Sequence, residues 1–370
     1  MTLGYGIIGC GMMGQEHIRN IQLLPHASVR AIFEPDPEMR HRILALVPEV
    51  RFETSIESLL SAPDVGALVI ASPNYLHAEQ LLAVLAQTDL PVLVEKPLVT
   101  DALDIERIRR AAEDHRAPIW VAMEYRYMPP VAALLERIRS GVHGATRQFS
   151  VREHRFPFLA KVGDWNRFNK NTGGTLVEKC CHFFDLMRLQ SQSEAVRVFA
   201  SGGIDVNHLD ERYEGQAPDI LDNAFVIVDF ANGQRAMLEL CMFAEGSRFQ
   251  EELCAVGDRG KLEASVPGPG RFWNTALGPA PTPQLVFSPR QPTGPVTTTI
   301  AIDPTLLAAG DHNGSTYYQH QGFYQAITAG QPVEVSVADG LKAVVLGLAA
   351  QQSIATGQAV AIRDDGWHFS

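Results

Sequence analysis

The amino-terminal third of the chain alternates short apolar runs with stretches of helical periodicity. Gly4-Tyr5-Gly6-Ile7-Ile8 is apolar and is followed by Gly9-Cys10-Gly11-Met12-Met13-Gly14, after which Ile18, Ile21 and Leu24 recur at helical spacing. Val29 to Phe33 reads as another strand, ending at Glu34. Leu68-Val69-Ile70-Ala71 predicts a buried strand closed by Ser72-Pro73-Asn74, with a helix from about Leu76 to Gln87. Pro91 to Val94 predicts a strand that stops at Glu95-Lys96, because Pro97 cannot donate to a ladder. A helix from about Ala102 to His115 and the run Ile119-Trp120-Val121 continue the series. Strands alternating with helices predict a parallel, doubly wound sheet.

Glu124-Tyr125-Arg126-Tyr127-Met128-Pro129-Pro130 breaks this pattern, which places a domain boundary between 123 and 124. A helix is expected from about Val131 to Ile138, stopping at Ser140-Gly141, and a β-rich region from about Thr146. Asn232-Gly233 lies between the apolar runs 225–230 and 236–243 and predicts a type I′ hairpin. Residues 252–256 and 261–264, flanking Gly257-Asp258-Arg259-Gly260, predict a second. Residues 267–304 carry nine of the 23 prolines, so a long loop with short edge strands is expected there. Ser336-Val337-Ala338-Asp339 is a capping box for a final apolar helix ending near Gly357. The fold class is therefore α/β: a doubly wound domain over 1–123 and an α+β domain over 124–370 built on an antiparallel meander.

Composition narrows the functions. A chain of 370 residues has room for two cores. Its net charge of −11 argues against nucleic-acid and anionic-membrane partners, both of which need basic surface. No apolar run reaches membrane-spanning length, and a strand beginning by residue 4 leaves no room for a signal peptide, so a cytoplasmic protein is expected. The five cysteines form no CxxC pair, which favours reduced thiols over disulfides or structural zinc.

The candidate chemistry sits at strand ends. In Gly9-Cys10-Gly11-Met12-Met13-Gly14, Gly9 would make the tight turn, Gly11 would admit a pyrophosphate, and Gly14 would let helix pack on strand. Cys10, Met12 and Met13 complete that loop, and Glu34, twenty residues after Gly14, falls where a ribose-binding acid belongs. Ser72, Pro73, Asn74 and His77 lie at a neighbouring sheet edge, facing the crevice with Glu95 and Lys96. His77 there is either an exposed first-turn residue or a cofactor contact. Thr172 to Met187 reads as one helix, apolar nearly all round, with Glu178, His182 and Asp185 striping one face at i, i+4, i+7. Three readings stay open for the stripe: an internal hydrogen-bond network, a metal site lacking a second histidine, or an acid–base histidine oriented by a carboxylate.

In this order the motifs resemble the Gfo/Idh/MocA family of NAD(P)-dependent oxidoreductases over the whole length. The marks are the Gly9, Gly11, Gly14 fingerprint, Ser72-Pro73-Asn74 with His77, Glu95-Lys96-Pro97, and Gly173-Gly174 leading to Glu178, His182 and Asp185. The resemblance implies an amino-terminal Rossmann domain, a carboxy-terminal domain on a largely antiparallel open sheet, NAD as cofactor, and Lys96 and His182 beside the nicotinamide and the reacting carbinol; no metal is expected, since no second histidine completes the stripe. Glu178 stands where the family has aspartate, either orienting His182 or touching substrate. A sugar, cyclitol or related polyol is the implied substrate, and the open face of the second sheet implies a homodimer or homotetramer. The loop carrying His154, Arg155, Lys161, Asp164, Trp165, Arg167 and Asn169 suits such a ligand, since a polyol offers C–H faces to an indole and hydroxyls to the rest. Arg155, Trp165 and Arg167 are its candidate substrate contacts, with His312, Tyr317 and His320 closing the site from the carboxy-terminal side. Two further readings accompany the dehydrogenase: an NAD-dependent enzyme cleaving a glycoside by transient oxidation and elimination, and a catalytically silent nucleotide-sensing regulator.

Overall fold

The computed structural model describes residues 2–291 and 293–370. Its first sheet is formed by β1 (Leu3–Ile8), β2 (Ala27–Phe33), β3 (Arg51–Glu53), β4 (Ala67–Ile70), β5 (Val92–Val94) and β6 (Ile119–Val121). All its pairings are parallel, in the order β3-β2-β1-β4-β5-β6. β4, β5 and β6 are buried along their whole length, which is why they read as unbroken apolar runs rather than alternating ones. Helices α1 (Met12–Leu23), α2 (Pro37–Leu44), α3 (Ile56–Leu60), α4 (His77–Gln87) and α5 (Leu103–Asp114) connect these strands. The strand order reverses between β1 and β4, and crevices at such switch points are where ligands bind.

After α6 (Pro129–Arg139) the second sheet begins with β7 (Thr146–His154). Next come α7 (Asn169–Thr172), α8 (Thr175–Glu178) and α9 (Cys181–Ser191), then β8 (Ala195–Gly203), β9 (Asn223–Phe230), β10 (Arg235–Cys241), β11 (Glu251–Gly257), β12 (Gly260–Val266), β13 (Gln284–Pro289) and β14 (Val296–Thr299). With β15 (Val360–Ala361) they make a nine-stranded sheet, antiparallel except where β10 runs parallel to β7. Alternation sorts its faces. Ala224, Val226, Val228, Ala236, Leu238 and Leu240 are buried, while Phe225, Ile227, Val196, Phe199 and Met237 face outward and are exposed. The proline-rich segment 267–304 holds the two edge strands β13 and β14, as its composition predicts.

The last helices, α10 (Pro304–Ala309), α11 (Ser315–Ala329) and α12 (Val337–Thr356), return to the first sheet. Val121 N donates to Val335 O at 3.1 Å, and a Cβ added to Gly340 would lie 2.8 Å from Val121. Phe323 of α11 packs against Trp120 and Tyr5, with ring centroids 6.3 and 6.4 Å away.

Two local expectations need correction. The Asn232-Gly233 hairpin is not type I′, because only Gly233 takes a positive φ (83°). Gly233 N donates to Phe230 O and Phe230 N to Gln234 O, giving a type I turn followed by a bulge glycine. Asn232 is held there by docking onto the end of α9, its Nδ2 donating to Ser191 O at 3.0 Å. Nor is 172–187 one helix. Gly173 (φ 76°) and Gly174 (φ 90°) are left-handed, and a second break at Lys179-Cys180 separates α8 from α9. The expected stripe is thereby divided.

Candidate active site

A cleft of about 1030 Å³ runs from the carboxyl edge of the first sheet to the loop after β7. At its floor Gly9 turns with φ 88°, and a Cβ there would lie 2.7 Å from Ser72 Cα, so no other residue fits without moving β4's exit. A Cβ at Gly14 would lie 2.3 Å from Gly9 O, which explains the close seating of α1. At Gly11 a Cβ would meet nothing within 4 Å, leaving the backbone open to the cleft. The first turn of α1 has no side-chain cap, so its amides are available to an anion. Met12 and Met13 line the same stretch.

Glu34 closes this end. Its Oε2 accepts from Cys10 N at 2.6 Å and its Oε1 from Asp36 N at 2.9 Å, which fixes the carboxylate at the tip of β2. An open glycine backbone, an uncapped helix start and a fixed acid together fit a dinucleotide. Ser72, Pro73 and Asn74 line the crevice beside it. His77 is neither exposed nor a free ligand: fully buried, its ring bridges Pro97 O (2.8 Å) and Ser72 O (2.9 Å), tying two strand ends together.

Beyond lie the charged groups. Lys96 Nζ donates to Glu178 O at 3.0 Å. Burial opposes charge on Lys96, but Cys181, Glu95, Glu124 and Glu178 around it hold its pKa above the ordinary value. Glu95 is buried and occupied elsewhere, its Oε1 2.8 Å from His17 Nε2, while His17 Nδ1 lies 2.8 Å from His320 Nε2. His320 is thus an internal residue linking α11 to α1 and does not line the cleft.

His182 is 2% exposed and stacks on Tyr125, centroids 4.1 Å apart with planes 6° from parallel. Burial, then Lys96, Lys179, His312 and Arg155, push its pKa well below 6.5, so the ring is neutral and able to accept a proton at pH 7. Glu178 does not bond to it. One Glu178 oxygen is 3.5 Å from Lys161 Nζ and the other has no hydrogen-bond partner. Asp185 turns away altogether into an ion pair with Arg126, and lies off the cleft. The break at Lys179-Cys180 puts Glu178 on a separate helix from His182, while Asp185, one turn beyond His182 on α9, lies off the cleft.

Among the loop residues, Arg155, Lys161 and Trp165 line the cleft, with Lys161 Nζ 4.5 Å from the Trp165 ring centroid. Arg167 does not: it is buried, and its Nε donates to Glu211 at 2.9 Å. His154 pairs with Glu239 at 3.0 Å, Asn169 bonds to Asp219, and Asp164 takes a left-handed turn (φ 47°) off the cleft. Tyr317 packs edge-on against Tyr318, also off the cleft lining. His312 does close the wall, 2.8 Å from Glu16. Burial lowers its pKa, but Glu16 more than offsets this and raises it to about 9.

Among the cleft residues that went unnoticed in the sequence are Glu124, Tyr125, Lys179 and Glu251. Lys179 Nζ is 2.9 Å from Glu153 and also bonds Tyr125 OH. Glu251 faces Glu153 directly across β7 and β11, and burial together with Glu153 pushes it up to about 7. Strand parity carried this signal, since Glu153 shares its face with Phe149 and Val151, and Glu251 with Leu253 and Ala255. Among the described residues no group of three or more His, Cys, Asp or Glu side chains could hold a metal ion, and all five cysteines are free.

The chain is similar to known proteins. An inositol 2-dehydrogenase of Acidothermus cellulolyticus is 29% identical over 242 residues, 64% of this chain and 65% of that protein. A 2,7-anhydro-N-acetylneuraminate hydratase of Mediterraneibacter gnavus is 26% identical over 238 residues, 64% of this chain and 61% of that protein. The matched part thus spans just under two thirds of these relatives' length. A putative myo-inositol dehydrogenase structure from Sinorhizobium meliloti superposes with a TM-score of 0.78 at 21% identity, covering 98% of this chain and 100% of the other. Residues 3–123 match the family model described as an oxidoreductase family, NAD-binding Rossmann fold, and residues 136–362 match its C-terminal alpha/beta domain. The chain belongs to the Gfo/Idh/MocA family of oxidoreductases.

Proposed function

We propose that the protein is an NAD-dependent dehydrogenase or reductase acting on a secondary alcohol of a sugar, cyclitol or related polyol. The observation that carries this is one cleft joining an open dinucleotide loop to Lys96, a neutral buried His182 and a wall of mixed charge with an indole. Acidic and basic groups there are interleaved rather than segregated: Lys161 with Glu178, and Lys179 with Glu153. That suits a neutral ligand with many hydroxyls, and Trp165 offers a flat face for its C–H side. Family relatives that include inositol 2-dehydrogenases support the same class.

Bound NAD supplies the hydride acceptor. His182 takes the hydroxyl proton, and the Lys96 ammonium stabilises negative charge on the oxygen as the carbonyl forms. The Glu178 oxygen without a partner accepts a substrate hydroxyl, and the walls of the cleft hold the carbinol between Lys96 and His182. A panel of polyols, aldoses and glycosides, followed at the absorbance of reduced nicotinamide, tests this reading; no turnover with any of them would refute it. A relative called a hydratase, a name for a reaction without net redox change, supports a second reading, transient oxidation followed by elimination. Glycoside turnover without accumulating NADH marks that outcome.

Cofactor choice follows from Glu34. A 2′-phosphate would bring like charge against its fixed carboxylate, while Arg42 is held by Glu38 and Arg40 by the Glu34 carbonyl. NAD is expected over NADP by about tenfold or more in kcat/KM, since a close like-charge contact costs at least ~1.4 kcal/mol. Equal efficiency with both cofactors contradicts this. The outward apolar face of β8, β9 and β10 supports a homodimer or homotetramer, so solution scattering at micromolar concentration should return a multiple of the chain mass.

A further inference from the structure

Glu124 is 1% exposed, follows β6, and lines the cleft. Neither of its carboxylate oxygens has a hydrogen-bond partner, and Oε1 lies 3.6 Å from His182 Nε2. A buried carboxyl with both oxygens unsatisfied costs stability, and surrounding structure normally removes such a group or pairs it. Here the next residue fixes the geometry, since Tyr125 stacks flat on the His182 ring. Glu178, the acid four residues before the histidine, is turned to Lys161 and leaves this position unfilled.

We infer that Glu124 is the positioning and proton-holding partner of His182, a role taken here by a residue from the end of the first sheet rather than from the histidine's own helix. The inference rests on the polyol-oxidising reading above. In oxidation the substrate O–H bond breaks and the proton goes to His182 Nδ1, the ring nitrogen without another partner, while Nε2–H faces Glu124. The Nε2 proton then passes to a Glu124 oxygen, which restores a neutral imidazole, and from the carboxyl to water in the cleft. One proton leaves per alcohol oxidised, and reduction runs the path backwards. A distance of 3.6 Å is long for a hydrogen bond, but catalytic pairs of this kind close once substrate is seated.

The charges facing the pair set its pH behaviour. Glu124 faces Glu95 and Lys96 after β5, Cys181 and His182 of α9, and His312 before α11, whose Nε2 is 3.9 Å away. His182 faces Lys96, Lys179, His312 and Arg155 as well as Tyr125 and Glu124. Burial and Glu95 together raise Glu124 to about 7, against His312 and Lys96. A carboxylate able to receive the proton is therefore present above about pH 7 and lost below it.

Glu124→Gln keeps the shape and removes the proton acceptor. Its expected effect is a roughly 10²-fold fall in kcat for polyol oxidation at pH 8, with NAD affinity and melting temperature near those of the parent. The acid limb of the kcat profile should move to lower pH, because His182 alone then sets it. Glu124→Asp should recover part of the rate and keep the original limb. Parental rate and limb in Glu124→Gln overturn the inference, as does an even loss of rate at every pH with the limb unmoved, which is a packing effect. Should the parent protein oxidise nothing in the panel, the functional reading fails instead, and the pair is read without turnover. Ring-nitrogen NMR of ¹⁵N-histidine protein, with the His182 signal identified by its loss in His182→Asn, should then show a lower His182 titration in Glu124→Gln. An unchanged titration overturns the pairing.

Discussion

Lys96→Ala is expected to lower turnover of the preferred polyol by roughly 10²–10⁴-fold while NAD still binds, and His182→Ala by a similar factor. In the proposed mechanism both groups meet the substrate where charge and proton move, so their removal should appear in kcat more than in KM. Lys96 and His182 line the cleft outside the dinucleotide loop, which is why cofactor affinity should survive. Lys96 also holds Glu178 O at 3.0 Å, and His182 supports the Tyr125 ring, so each variant loses a packing contact. Thermal melting and NAD titration beside turnover separate the two effects. A folded, NAD-binding Lys96→Ala protein with near-normal turnover would falsify the assignment.

Asp185→Ala should do the reverse, destabilising the fold by about 3–5 kcal/mol while leaving turnover per folded molecule near normal. Asp185 is fully buried, and its Oδ2 accepts from Arg126 Nε at 2.6 Å. Arg126 Nη1 also donates to Glu334 O at 2.6 Å, so the guanidinium ties α9 to the segment before α12. Burial works against the Asp185 charge and raises its pKa, with Arg126 opposing that rise. Removing the carboxylate leaves the buried guanidinium with only Asp339, at 3.7 Å, as a counter-charge, a larger penalty than the pair's own net worth. Chemical denaturation measures the loss, and a stability within 1 kcal/mol of the parent contradicts the argument.

The contrast between Glu178 and His182 shows what the sequence could and could not convey. Helical spacing put Glu178, His182 and Asp185 on one stripe, and nothing in the residue types reveals that the helix breaks at Lys179-Cys180. The Rossmann half was readable because its strands are buried on both faces and its turns are written in glycine and proline. Glu34, Ser72 and Lys96 fall at strand ends, so finding the strands located them. Arg167 looks like a substrate ligand by type, yet Glu211, more than forty residues on, uses it up. Glu153 and Glu251 were within reach, since counting alternate residues from Phe149 and Leu253 puts both carboxylates inward. Glu124 was not. Its importance lies in having no partner, which only the packed structure displays.

One feature of the packing bears on how the protein is made. The strands of the first sheet are complete once Val121 has been synthesised, but Val335, Gly340 and Phe323, which cover that flank, come some 200 residues later. At roughly 5–20 residues per second the delay is about 10–40 s, long compared with the collapse of a domain. For that interval a nascent chain on the ribosome carries the side of Trp120 and Val121 uncovered to water, and a chaperone has the first opportunity to occupy the place that α11 and α12 take in the finished protein.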